Sequence, residues 1–411
     1  DQRIGLEPIE KSTRFVNFGK KVDGKFLYYT PKPDLERLGL LEKYKETLDH
    51  LFDTYVALLS PLVSWLNKNF DEKESVLEKK AFDALRGLLP MATLGQVALR
   101  GNAQAFEYLI NRTTKHPLGE LRWLAEVLKQ ELDQEIPSLL LRLSDEKSQK
   151  YQRYLNKRYK AAHEAMPKVI QNNRVMLLES FSNVRLVEFD PEAEEKILAN
   201  IILKETVLDW DYAFRRVKNF TPEEKRKLFK AYLLNRDARW QKVGRAFENS
   251  YLRFEIVMDI GAYRDLHRHR MMTQERQRFS THHGYEIPSE IRDSGLSSQF
   301  AEALERTSLL YSQLATHDLD IAQYVVPLAY RIRFYEWQNF RQLFWEAELR
   351  TTSQGHPNYR FIEQEKYRLV KEKFPLIAEF MLVDMNKYEV ARRGTEEKIT
   401  EKEKKILEGL K

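Results

Sequence analysis

The chain has 411 residues, more than one small core usually holds, so two domains or one duplicated unit are expected. Its 68 Lys and Arg against 62 Asp and Glu leave a net charge of +6, mixed along the sequence, which argues against nucleic acid as a partner on charge alone. A hydrophobic content of 42% excludes a disordered chain, 15 glycines favour helices over a loop-rich all-β fold, and the lack of cysteine excludes disulfide scaffolds, thiolate zinc sites and a cysteine nucleophile.

In chain order, Leu41, Tyr44, Leu48, Leu51, Phe52, Tyr55, Leu58 and Leu59 recur three and four apart, which predicts a long amphipathic helix over 41–59. Pro61 and Pro90 punctuate the region after it, and a second helical stretch is read over 104–132. Residues 144–183 are polar and basic, with Lys147, Lys150, Arg153, Lys157, Arg158 and Lys160 at helical spacing. A solvated helical linker is the favoured reading of that segment, with a phosphate-binding surface as the sharper alternative. Val184–Phe189 alternates as a half-buried strand does, and Asp190-Pro191 then opens a helix at Glu192. Leu252–Ile260 reads as another strand, after which Arg264, His267, Arg268, His269, Arg270, Arg276 and Arg278 make the chain abruptly basic. From Arg392 onward the sequence is a charged tail. The most apolar run, Phe374–Val383, is broken by Glu379 and falls short of the roughly 18–20 residues a spanning helix needs. The sequence opens on Asp1 with no Met and no signal-like segment, so residues upstream are expected, and a soluble cytoplasmic protein is the reading.

An internal repeat is legible. Leu88-Leu89-Pro90, Gly101-Asn102, Asn111-Arg112 and His116-Pro117 return as Val325-Val326-Pro327, Gln338-Asn339, Leu349-Arg350 and His356-Pro357. Proline and asparagine stand 12 residues apart in both copies, while the later spacings drift, as in an old duplication. Upstream, Glu10-x-Ser12-x-Arg14-Phe15 parallels Glu275-x-x-Arg278-Phe279.

Arg268-His269-Arg270, read as following directly on a strand, sets an imidazole between two guanidiniums. That cluster suits a phosphate or a flavin pyrophosphate, and equally a salt-bridged strand end facing water. Four of the nine histidines fall between 267 and 283, but flanking arginines repel a cation and no His-x-x-x-His occurs there, so no metal is expected. Neither a phosphate-loop nor a dinucleotide signature is present.

Arg268-His269-Arg270-Met271-Met272-Thr273, followed by Glu275 and Arg278-Phe279, resembles the signature R-H-R-x-x-S-x-N-E-x-S-x-R-Y of the flavin-dependent thymidylate synthases (ThyX). Glu248–Ile256 resembles the strand E-H-x-x-F-x-F-E-I of that family, and Asn339, Arg341, Leu349-Arg350 and His356 its N-x-R…L-R…H segment. The resemblance implies an α+β fold of two ThyX-like lobes, each a mainly antiparallel twisted sheet packed with long helices. The lobes are placed at 1–136, without the R-H-R segment, and at 184–390, with a helical basic linker at 137–183 and a charged tail at 391–411.

The same resemblance implies methylation of dUMP to dTMP with methylenetetrahydrofolate and NADPH through FAD. It assigns Arg268, His269, Arg270, Asn339, Arg341 and His356 to the flavin. Glu10, Ser12, Arg14, Arg86, Glu275 and Arg278 go to the nucleotide, and Arg350 or Arg112 to the charge that develops on the pyrimidine. The second copy departs from the signature: its loop is one residue short, Gln277 stands where the family has serine, and Gln274 where it has asparagine. Complementary losses in the two copies predict pockets composed from both, in a homodimer of tandem chains that reproduces a family tetramer. The alternatives are a catalytically decayed homologue that binds flavin or nucleotide without turnover, and a single-stranded nucleic-acid binder suggested by the aromatics within 331–341. Phe334, Tyr335 and Trp337 in that stretch are read rather as packing a core helix.

Overall fold

The computed structural model describes residues 5–14, 16–170, 183–390 and 404–408. Phe15, the end of the basic segment at 171–182, and most of the expected tail (391–403 and 409–411) lie outside the described residues. The strands are β1 (Leu6–Glu10), β2 (Val97–Gly101), β3 (Val184–Phe189), β4 (Tyr251–Asp259), β5 (Thr273–Arg276) and β6 (Arg331–Asn339). The helices that build the cores and the site are α1 (Leu41–Asn69), α2 (Glu74–Leu85), α3 (Ala103–Thr113), α4 (Gly119–Glu135) and α5 (Glu146–Ile170). They continue with α6 (Ala193–Glu205), α7 (Ile260–Leu266), α8 (Ser297–Ala315), α9 (Phe340–Arg350) and α10 (Pro357–Lys373). The fold is α+β, with two antiparallel sheets: β1-β2, and a four-stranded sheet in the order β3-β4-β6-β5. No helix among the described residues is long and apolar enough to cross a membrane.

The chain packs as two compact units that take turns along the sequence. One comprises Asp1–Leu58, Leu88–Phe181 and Leu296–Pro327, and the other Leu59–Gly87, Ser182–Gly295 and Leu328–Lys411. Helix α2 belongs to the unit that holds the R-H-R segment, and α8 to the other.

Helix α1 runs ten residues past its expected end. Pro61 sits inside it, removing one N–H and crowding the preceding turn at a cost of about 3 kcal/mol. Beyond it Leu62 and Leu66, both fully buried, continue the apolar stripe, and at about 1.5–3 kcal/mol each their burial offsets that cost.

In the first unit, the single helical stretch read over 104–132 is two helices, α3 and α4, parted at Pro117. The side chain of Asn102 caps α3 by accepting from Ala105 N at 2.9 Å. Ile110, Ala125, Leu140 and Leu143 form one small core. Buried Gln152 of α5 donates to Asn111 Oδ1 at 2.9 Å, which locks α5 onto α3. The repeat motifs meet within this unit: Pro90 and Pro327 form an antiparallel bridge, with Met91 N donating to Val326 O at 2.9 Å.

In the second unit, β4 and β6 pair from Tyr251↔Asn339 to Asp259↔Arg331, so alternate residues Leu252, Phe254 and Ile256 share the inner face with Ile332 and Phe334. α10 packs on β3 and β4, and Phe340 of α9 meets Phe374 edge-on at 5.2 Å. The 331–341 segment is thus largely strand, not core helix: Phe334 is buried in it, while Trp337 is 42% exposed. The basic triplet does not follow β4 directly either. Asp259 ends the strand and caps the short helix α7, and the triplet lies just beyond that helix.

Candidate functional site

Asp259, almost fully buried, joins two elements. Its Oδ1 accepts from Ala262 N at 2.7 Å at the start of α7, and its Oδ2 accepts from Asn358 Nδ2 at 2.7 Å in the first turn of α10. Burial pushes its carboxyl above the ordinary aspartate range, and the nearby Arg86 pulls it back. Arg86 is itself only 4% exposed, lies 3.2 Å from Asp83 Oδ1 through Nε, and keeps a buried Nη2 without a hydrogen-bond partner among the described residues. Gly261 makes that approach feasible, because a Cβ there would lie 3.3 Å from Arg86 Nε and 3.1 Å from Asp259 Oδ1.

His356 caps α10. Its Nδ1 accepts from Asn358 N at 3.2 Å, which requires the proton of a neutral ring to sit on Nε2, the nitrogen 3.8 Å from Asp83 Oδ1. Asp83 thereby faces one cation and one imidazole, Arg86 from α2's end and His356 from the far side of the sequence.

His269 is 8% exposed and lies between two residues of α9. Arg350 Nε donates to its Nε2 at 2.9 Å, and the side-chain amide of Gln342 lies 3.1 Å from its Nδ1. A guanidinium can only donate, so Nε2 is the acceptor and Nδ1 carries the hydrogen; Gln342 must then present its oxygen to the ring. Burial, reinforced by the charge of Arg350, holds this histidine down at about 3. His267, two residues earlier, is held near 4, chiefly by burial. Arg350 also faces Asp265 at 3.7 Å and lies over the Tyr359 ring at 5.6 Å, and that ring stands 6.1 Å from the ring of His356. His269, Arg350, Tyr359, His356, Asp83 and Arg86 therefore form one continuous chain of contacts.

Behind His269 lies a cluster that sequence reasoning missed. Lys366 Nζ sits 2.7 Å from Glu336, 2.9 Å from Glu346 and 3.1 Å from Glu363, and none of the four is exposed at all. Gln274 Nε2 donates to Glu336 Oε1 at 3.0 Å, and Glu346 Oε1 lies 4.0 Å from His269 Nε2. Three carboxylates around one ammonium would leave two net negative charges in a dry core. Burial accordingly raises Glu336 and Glu363, and the Oε2 of Glu363, without a partner among the described residues, suits a protonated acid. The carboxylate oxygens lie within 4.8 Å of one another, close enough for a cation, and the Lys366 ammonium occupies that place. The available signal was charge on apolar faces: Glu346, Glu363 and Lys366 fall among the buried positions of α9 and α10.

The other expected residues are placed elsewhere. Asn339 caps α9 by accepting from Gln342 N at 2.9 Å. Arg341 pairs with Glu248 at 2.5 Å and donates to Val243 O at 3.2 Å. Arg268 is exposed and Arg270 half-buried, both just beyond α7; Glu275 lies exposed on the edge strand β5, bonded by Tyr335, and Arg278 follows half-buried. In the first unit, Glu10 ends β1, Ser12 Oγ accepts from Arg14 N at 3.2 Å, and the Arg14 side chain is buried. Arg112 is exposed on α3 and donates to Tyr108 OH at 3.1 Å.

A buried arginine–histidine chain thus sits on an α+β scaffold, with the exposed Arg268 and half-buried Arg270 flanking His269 in sequence. The protein's kinship is specific: the thymidylate synthase complementing protein family model matches residues 1–138 and 185–376, and the chain belongs to that family. Two relatives, each named a UPF0159 protein, come from Chlamydia pneumoniae (34% identical, covering 96% of this chain and 76% of that protein) and Chlamydia muridarum (33%, 95% and 75%). A third, from Thermoplasma acidophilum, is 29% identical over 96% of this chain and 83% of its own length. A solved structure, the UMP/dUMP methylase PolB from Streptomyces cacaoi bound with 5-Br dUMP, is similar at a TM-score of 0.38 and 18% identity, covering 49% of this chain and 96% of that one.

Proposed function

We propose that the chain is a flavin-dependent thymidylate synthase, methylating dUMP to dTMP with methylenetetrahydrofolate and NADPH through FAD. Family membership supports the reaction class, and the His269–Arg350 hydrogen bond carries the reading. The donor set fits an anionic, oxygen-rich ligand: Arg86 has a buried Nη2 without a partner among the described residues, and Arg350 meets a neutral ring rather than a carboxylate along its Nε edge.

Bound in reduced form, the flavin supplies the hydride, while the folate supplies the carbon. Arg350 stabilises negative charge as it develops on the pyrimidine. The neutral His269 fixes the orientation of that guanidinium without cancelling its charge, which preserves its strength toward ligand. Arg268 and Arg270 take the flavin phosphates; Arg86, Glu275 and Arg278 are assigned to the nucleotide within the second unit, and Glu10, Ser12 and Arg14 keep the same assignment within the first. Asn339 and His356 act as helix caps and Arg341 as the partner of Glu248, so their contribution to flavin binding is to hold the elements that carry it. The two segments matched by the family model support a tandem arrangement, read as a homodimer of duplicated chains in the cytoplasm.

The decayed-homologue reading has its own support in the shortened signature loop and the engagement of Arg341. Two measurements separate the readings: the visible spectrum of the purified full chain after incubation with FAD, and dTMP formation from dUMP with NADPH and methylenetetrahydrofolate. Flavin bands with dTMP formed support the synthase. Flavin bound without product favours the decayed form, and absence of both flavin and dUMP binding overturns the proposal.

A further inference from the structure

We infer that the outer face of α5 is a docking surface for a single-stranded polynucleotide. The inference is independent of the proposed synthase activity. Residues 146–160 carry six Lys and Arg against one Glu, so five of the six net positive charges of the whole chain are massed on one stretch of helix. The near-neutral balance that argued against nucleic acid is an average that conceals this concentration.

The geometry separates the two sides of the helix. Gln152 is buried against Asn111, Asn156 Nδ2 donates to Lys115 O, and Tyr159 OH donates to Asp320 Oδ1, so this side faces the protein. Lys147, Lys150, Arg153, Lys157, Arg158 and Lys160 are all exposed. None of these six is paired with a carboxylate among the described residues. At 1.5 Å per residue the cations extend over about 20 Å. Like charges three and four positions apart on a helix repel, and no ion pair of these six among the described residues relieves them; a polyanion would.

Tyr151 and Tyr154 are exposed among these cations at 42% and 54%, and Arg158 lies over the Tyr154 ring at 5.8 Å. Exposed aromatic faces interleaved with cations offer stacking for unpaired bases together with neutralisation of phosphates. A membrane-binding helix needs instead an apolar face to bury among lipid chains. The exposed side of α5 over these residues has no aliphatic side chain larger than alanine, and Leu155 lies on the protein side.

The test is fluorescence anisotropy of labelled 20-nucleotide oligo-dT and oligo-U against the full-length protein from 50 to 300 mM salt, with anionic phosphatidylserine vesicles and a duplex of the same length as further arms. Binding to the single strands is expected, with log K falling against log salt at a slope of about −3 to −4, as for four to five released counterions. The triple variant Lys150→Glu/Arg153→Glu/Lys157→Glu should weaken binding at least 30-fold while the circular dichroism spectrum is retained. Tyr151→Ala/Tyr154→Ala should weaken it several-fold with the salt slope preserved. Lys227→Glu/Lys230→Glu, on the separate helix Pro222–Tyr232, should leave it unchanged. Equal loss in that control, stronger binding to vesicles or duplex than to single strands, or no binding at 50 mM salt would each overturn the inference. A chain that binds flavin and dUMP normally yet fails here refutes this surface alone.

Discussion

Arg350 donates its Nε hydrogen to Nε2 of His269 across 2.9 Å, although 81 positions separate them. The bond fixes the tautomer of the ring and the direction of the guanidinium together, so loss of either partner disturbs both.

Replacing Arg350 with Lys keeps the charge and loses the planar fork. Binding of FAD and dUMP, followed by flavin fluorescence and calorimetry, should weaken at least tenfold, while the thermal midpoint moves by only a few degrees. Unchanged affinity for both ligands would remove Arg350 from the site.

Acid should destabilise the second unit through His269. Its imidazole titrates near 3 when folded and near 6.5 when unfolded, so between those values the unfolded chain binds a proton that the folded chain excludes. Stability therefore rises with pH across that window and is lost as pH falls through it, at no more than about 1.4 kcal/mol per unit from this group. His267 acts in the same direction. In urea melts from pH 7 to 4, His269→Gln should show a shallower acid loss than the parent chain; an identical slope would assign the acid sensitivity to other groups.

Lys366→Met leaves three carboxylates without their cation in a fully buried site. The expected loss at pH 8 is about 3–5 kcal/mol. Because burial already biases Glu336 and Glu363 toward the protonated form, the loss should be smaller at pH 5.5, where they take up protons more readily. Equal losses at both pH values in denaturant titrations would show that ion pairing is not what Lys366 contributes.

Gly355→Ala probes the backbone beneath the site. A Cβ there would approach Arg350 O at 2.9 Å and Tyr359 Cε2 at 2.8 Å, so the end of α9 must shift. Chemical denaturation should register about 1–3 kcal/mol of destabilisation, accompanied by weaker dUMP binding because Arg350 moves with its carbonyl. A fully stable variant would contradict this packing.

Much of the scaffold was readable from periodicity. The alternation of Val184–Phe189 gives β3, and the three-and-four spacing from Leu41 gives α1, because each pattern states which side chains must leave water together. The end of α1 was not readable: Pro61 is a local stop signal, overridden by buried leucines beyond it. The strand-to-triplet connection was misread for a similar reason, since Leu252–Ile260 reads as one strand and only the hydrogen bond from Ala262 N to the Asp259 side chain reveals a new helix.

By itself the sequence determined the helix-rich α+β class, the repeated motifs and the basic triplet, since composition, period and motif order are local properties of the chain. Tertiary structure alone decided that Arg86 and His356 face the same Asp83, that His269 is a neutral acceptor for Arg350, and that Lys366 lies among three glutamates. These are relationships across tens to hundreds of residues. Burial sets their charge states, and burial depends on what the rest of the chain places around each group.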